Sequence, residues 1–251
     1  MSVNGTSNDP ADTTIDRWAF GLVVVVVGVG SLVDLHLAMG ATGFRPVLPA
    51  ALLLAVGPAL LILLTPALAG AWIGGLVALT VVLTFLLTLV SSRRHDTAAI
   101  MGSTLFAGLL IAFGVAALLL LYDAVAAVQL TAVLALIGVT DAAVTLAGWR
   151  SPTPRLTRLV FPALVASALA AGAIWVSAGM SSSGALLPVV GFALAAVVAA
   201  LITRRLRDVL RPRPTTPPRH PARLIGTADA VLVGAPLAFL WLQILVSRPM
   251  I

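Results

Sequence analysis

Long uncharged apolar runs, interrupted at intervals by arginine, constrain this chain more than any other feature of its sequence. Uninterrupted uncharged stretches run from Pro46 to Ser92, Thr97 to Tyr122, Ala124 to Thr140 and Leu159 to Thr203. A helix crosses a bilayer with about 20 apolar residues, so the first and last of these stretches each have room for two. With only 10% charged residues and a mean hydropathy of +1.11, the chain is expected to be an all-α, polytopic transmembrane helical bundle. A membrane β-barrel would show short segments alternating between lipid-facing and lumen-facing residues, and no such alternation is present.

Eight spans are predicted. The first covers about Trp18 to Ala38 and follows a polar tail, residues 1–17, that carries Asp9, Asp12 and Asp16. This run is too long, and too poor in preceding basic residues, for a cleaved signal peptide. The others lie near Pro46–Thr65, Gly70–Val90, Ala98–Tyr122, Ala124–Gly148, Leu159–Ala178, Ala185–Thr203 and Leu224–Val246. Proline and glycine around Thr65-Pro66 divide the second from the third, and Gly179-Met-Ser-Ser-Ser-Gly184 divides the sixth from the seventh. Residues 18–247 thus read as one transmembrane domain, with an Arg/Pro-rich loop over 204–223 inside it.

Arginine sets the orientation. Arg45 follows span one, Arg93 and Arg94 follow span three, Arg150, Arg155 and Arg158 follow span five, and seven arginines between Arg204 and Arg223 follow span seven. The gaps between them carry none. Positive residues stay on the cytoplasmic side, so this alternation requires an even number of spans and puts both termini outside. Trp18, Trp149 and Trp241 near span ends suit the interfacial belt, whereas Trp72 and Trp175 read as packing residues.

Three residue types are absent: cysteine, lysine and glutamate. Without cysteine there is no disulfide, thiol nucleophile or thiolate metal site. Without lysine there is no Schiff base and no Walker-type phosphate lysine, which removes an opsin-like pump. The lysine-free, Ala/Val/Arg-rich usage points to a GC-rich prokaryotic genome, and so to a multi-pass protein of the cell membrane.

The 204–223 loop holds Arg204, Arg205, Arg207, Arg211, Arg213, Arg219 and Arg223 with one aspartate, a net charge of +6 that equals that of the whole chain. Its second half, from Arg211 to Pro221, is proline-rich and expected to be extended. These arginines are candidate contacts for anionic lipid headgroups. The alternative is a grip on a phosphorylated ligand, for which guanidinium forks are suited. Nucleic acid is not an expected partner; the bilayer and other membrane subunits are.

Carboxylates within apolar segments are costly and so mark candidate sites. Asp34, Asp141 and Asp229 are the three. Asp34 lies near the cytoplasmic end of span one; Asp141 lies about 13 Å and Asp229 about 9 Å in from the same boundary. One polar pocket open to the cytoplasm is the expectation. Within it Asp141 and Asp229 are a candidate pair for Mg²⁺, which favours carboxylates, waters and phosphate oxygens. The competing reading is three separately satisfied aspartates, Asp141 by Thr140, Thr145 or a neighbouring helix.

Other patterns carry less. Gly28-Val-Gly30 imitates part of a dinucleotide fingerprint but sits in a span, with Val33 where a third glycine belongs, and reads as packing. Ser183 is expected outside while His36, His95 and His220 are expected in cytoplasmic loops, which removes a serine–histidine pair. Those histidines also lack zinc spacing. Gly70 and Gly74 fit the close-packing motif of membrane helices.

The segment Asp229-Ala-Val-Leu-Val-Gly-Ala-Pro-Leu-Ala-Phe-Leu240, with the basic loop before it, resembles the C-terminal end of CDP-diacylglycerol synthases, the phosphatidate cytidylyltransferases. Asp141 to Gly148, followed by Ser151-Pro152, resembles that family's inner aspartate motif, and the likeness in order and length covers about two thirds of the chain. The family's signature reads His-Gly-Gly-x-x-Asp-Arg-x-Asp. Laid on Asp229, it puts Thr227 at the arginine, Gly226 at the first aspartate and Pro221 at the histidine. The family's Ser-Pro-Lys-Lys-Thr becomes Ser151-Pro-Thr-Pro-Arg155. The resemblance implies Mg²⁺ and a nucleotide triphosphate attacked by a lipid phosphate, on a chain that lacks one of the carboxylates and the lysine pair.

Since no complete catalytic constellation is present, the leading expectation is a non-enzymatic accessory or scaffold protein without a cofactor. A cytidylyltransferase-like enzyme acting on phospholipid precursors with Mg²⁺ is the second. A small-solute transporter, with helices interrupted at Pro58, Pro66 or Gly179–Gly184 lining a path, is the third.

Overall fold

The computed structural model describes residues 10–41, 43, 46–65, 69–90, 96–149, 156–177, 186–210 and 226–247. These form eight helices and no strand: α1 (Pro10–Ala41), α2 (Leu48–Leu64), α3 (Ala69–Val90), α4 (Thr97–Ala124), α5 (Ala127–Trp149), α6 (Leu156–Ser177), α7 (Leu186–Leu210) and α8 (Gly226–Ser247). Five of them, α1, α4, α5, α7 and α8, are long and apolar enough to cross a membrane, and α2, α3 and α6 carry shorter apolar stretches. At 17 residues α2 is at the short end of what spans a hydrocarbon core.

Two boundaries differ from expectation. Helix α1 is described from Pro10 onward, so helix extends well into the segment expected as a polar tail. Helix α7 runs on to Leu210, so Arg204, Arg205 and Arg207 lie on its last two turns and not in a loop. Arginine is a good helix former and suits a helix C-terminus. His36 likewise lies on α1. Helix α2 continues through Pro58 without a break. Arg211, Arg213, Arg219, Arg223, Pro66, His95, Ser183 and His220 fall outside the described residues.

The helices assort into two four-helix units. In the first, each of α1 to α4 packs on its neighbours in the order α1, α2, α3, α4 and back to α1; in the second, α5 to α8 follow the same ring. The short diagonal differs, α2 with α4 in one unit and α5 with α7 in the other. The units join chiefly along α4 and α8, flanked by α1 on α8 and α4 on α5.

Small residues permit the close approaches. At Gly114 of α4 a Cβ would come within 2.5 Å of the Leu232 carbonyl oxygen of α8, so only glycine fits where the units meet. Gly191 of α7 lies under the Trp241 indole, which is therefore packed against α7 and is not simply an interfacial anchor. Gly28 faces Val115 and Ile111 of α4, the packing role read from its span. A Cβ on Gly74 would meet nothing within 4 Å, so this residue makes no close helix contact.

Candidate functional site

Antiparallel order puts the ends of α1, α3, α5 and α7 and the starts of α2, α4, α6 and α8 at one end of the bundle. That is the end carrying the arginine-rich connections. Asp34, Asp141, Arg204, Arg207 and Asp229 lie there, drawn from both units.

Asp141 is 1% exposed on α5. Its partner comes from α7, 66 residues on: Arg207 Nη2 donates to Oδ2 at 3.2 Å and Nη1 to Oδ1 at 3.4 Å. Nη1 also donates to Thr145 Oγ1 at 3.3 Å. Thr140 is occupied with its own helix, donating to the Leu136 carbonyl at 2.7 Å. Of the partners expected for Asp141, a neighbouring helix supplies the principal one. In the sequence Arg207 is indistinguishable from the rest of the basic stretch, because nothing local sets it apart from Arg205.

The rest of α7 follows its periodicity. Arg204, one turn before Arg207, is buried, with its Nε 3.4 Å from Asp208 Oδ2. Arg205 points the other way and is exposed. Thus Arg205 is the described arginine of this segment free to meet headgroups, whereas Arg204 and Arg207 are turned into the protein. The Thr203 hydroxyl is buried and has no hydrogen-bond partner.

Asp229 lies in the first turn of α8, where a carboxylate suits the helix dipole. Its electrostatic neighbours are Arg207, Asp34 and Asp141, and the Ser31 hydroxyl of α1 lies beside it. Asp34 and Ser31 are three residues apart and so share a face of α1. The structure therefore brings all three predicted aspartates to one cluster, and it adds two residues, Ser31 and Arg207. Ser31 was legible only as a hydroxyl one turn from Asp34.

These positions do not fit the two-carboxylate Mg²⁺ centre that the cytidylyltransferase resemblance implies. Each Asp141 oxygen already meets a guanidinium nitrogen. Among the described residues, no three His, Cys, Asp or Glu side chains are grouped to hold a metal ion.

At the opposite end a third ion pair closes the first unit. Arg17 of α1 donates from Nη2 to Asp123 Oδ2 of α4 at 2.8 Å and to the Ile62 carbonyl of α2 at 3.3 Å, and Phe20 stacks on Tyr122 with ring centroids 4.4 Å apart. This arginine lies on the side where the positive-inside rule disfavours charge, and Asp123 neutralises it.

A comparison with known protein families finds no match, and no curated protein matches the chain. The fold and site define a polytopic helical membrane protein with a polar cluster inside the bundle.

Proposed function

We propose that this protein is a small-solute transporter built from two four-helix units, with its polar cluster as the binding site. The observation that carries this reading is the cluster's position: Ser31 and Asp34 come from the first unit, Asp141, Arg207 and Asp229 from the second, and they meet where α1 packs on α8. Transporters place substrate and coupling-ion sites at the interface between repeats, where rocking of one unit on the other exposes them to alternate sides. Asp34 lies seven residues before the end of α1, about 10 Å along the helix, and Asp141 eight residues before the end of α5, about 12 Å. Carboxylates inside apolar helices are costly to insert, up to about 3 kcal/mol each, so their presence favours a binding role over a purely structural one.

The absence of cysteine makes the test direct. Leu35 lies one turn beyond Ser31 on α1, partly buried against the core. Leu35→Cys in sealed vesicles is expected to react with a membrane-impermeant maleimide added from either side in turn. Reaction confined to one side under all ionic conditions rejects transport in favour of the scaffold reading.

A further inference from the structure

Proline inside a helix leaves one carbonyl without its donor. Pro236 stands at the middle of α8, and its ring nitrogen has no hydrogen for the carbonyl of Leu232, four residues earlier. Within hydrocarbon there is no water to replace that bond, so a neighbouring helix has to face the freed group. Here the neighbour is Gly114 of α4: a Cβ on it would lie 2.5 Å from the Leu232 carbonyl oxygen and 2.9 Å from the Leu232 Cα. A glycine hydrogen takes the place of that Cβ, so the freed carbonyl meets an α-carbon C–H, a partner much weaker than the lost N–H.

The two halves of α8 are held differently. Beyond the proline, the Trp241 indole covers Gly191 of α7. Just before it, Gly234 lies against Ile137 of α5 and Ala199 of α7. Asp229 rides on the first half, and the contact of α1 on α8 is slight beside those of α4 and α7. Glycine and proline within one turn are where long helices bend. Helix α4, by contrast, has no proline and is the most enclosed of the five spanning helices. In α2, Leu54 four residues before Pro58 likewise seats on Gly108 of α4, but its side chain and not its carbonyl makes the contact, and α2 carries no charged residue.

We propose that α8 is hinged between Leu232 and Pro236, with Gly114 of α4 as the bearing on which it turns. The half that carries Asp229 swings against α1, while the half that carries Trp241 stays with α7. Bending there breaks no strong bond, because the backbone bond that would resist it is already missing. Asp229 thereby moves relative to Asp141 and Arg207, which are tied together across α5 and α7. The hinge rests on the transport reading for its purpose and not for its existence.

The chain lacks cysteine, so spin labels can be placed in chosen pairs. Val231→Cys with Val190→Cys spans the hinge, from the first half of α8 to the start of α7. Leu240→Cys with Val209→Cys joins the second half of α8 to the end of α7 and does not span it. Both pairs are separated by about 20 Å along the bundle axis. Double electron–electron resonance on the full-length protein in detergent is expected to give a broad or two-peaked distance distribution for the first pair and a narrow one for the second. Pro236→Ala restores the missing N–H and should collapse the first distribution to one narrow peak, with a higher unfolding temperature; Pro236→Leu should act in the same direction. Gly114→Ala pushes on the Leu232 backbone and should shift the first distance while leaving the second unchanged. A single narrow distribution for the first pair in the parent, equal widths for the two pairs, or a width that neither proline variant alters overturns the hinge. Two-peaked distances with one-sided labelling of Leu35→Cys keep the hinge and reject transport; two-sided labelling with a single narrow distance does the reverse.

Discussion

Asp141 shows how strongly a single buried carboxylate depends on its partner. Removing one member of a buried ion pair leaves the other without compensation, at about 3–5 kcal/mol, whereas replacing both by neutral groups of similar shape costs far less. Asp141→Ala is therefore expected to lower stability by about 3 kcal/mol in denaturant unfolding of the detergent-solubilised protein. Asp141→Asn combined with Arg207→Gln should recover most of that loss. Arg17→Gln is expected to act differently, because Arg17 and Asp123 are each about a third exposed. Its loss should change stability by less than about 1 kcal/mol, and high salt should erase the difference in the same measurement.

Helix packing at the level of elements is decided by where side chains are missing. The contact of α4 on α8 is centred on Gly114, where an added methyl meets the backbone of Leu232. Backbone cannot rotate away as a side chain can, so Gly114→Ala is expected to cost about 1–3 kcal/mol and to loosen the junction between units. Gly138 of α5 and Gly172 of α6 are controls, since a Cβ on either meets nothing within 4 Å. Substituting alanine there should leave stability unchanged or raise it by up to about 1 kcal/mol, through helix propensity alone. Unfolding of all three variants side by side checks the assignment of the seam. The helices themselves were legible from apolar length, and their boundaries followed to within a few residues. The extensions of α1 and α7 were not, because a polar or arginine-rich end reads as loop when only hydropathy is considered.

Across the whole molecule, the arginine alternation and the packing agree. Arg17, Asp123 and Ile62 meet at one end, while Asp34, Asp141, Arg207 and Asp229 gather at the other, as eight antiparallel helices require. Positive-inside retention then predicts that the end with the cluster faces the cytoplasm. In intact cells, Ser182→Cys is expected to react with an impermeant maleimide and Thr216→Cys to react only after lysis. The reverse pattern would invert the orientation.

The sequence by itself determined that the chain is helical, that it belongs in a membrane, and that its intramembrane aspartates lie toward one side. Each of these follows from properties summed along the chain: apolar run length, the rise per residue and the spacing of arginine. Only the tertiary structure decided that Arg207 holds Asp141, that Asp229 neighbours Asp34 and Ser31, and that the two four-helix units meet at Gly114. Such partnerships join residues 66 positions apart for Arg207 and Asp141 and 106 apart for Arg17 and Asp123, and they depend on which helix faces which. Helices of nearly uniform hydrophobicity do not announce their inner face, because lipid and core are equally apolar.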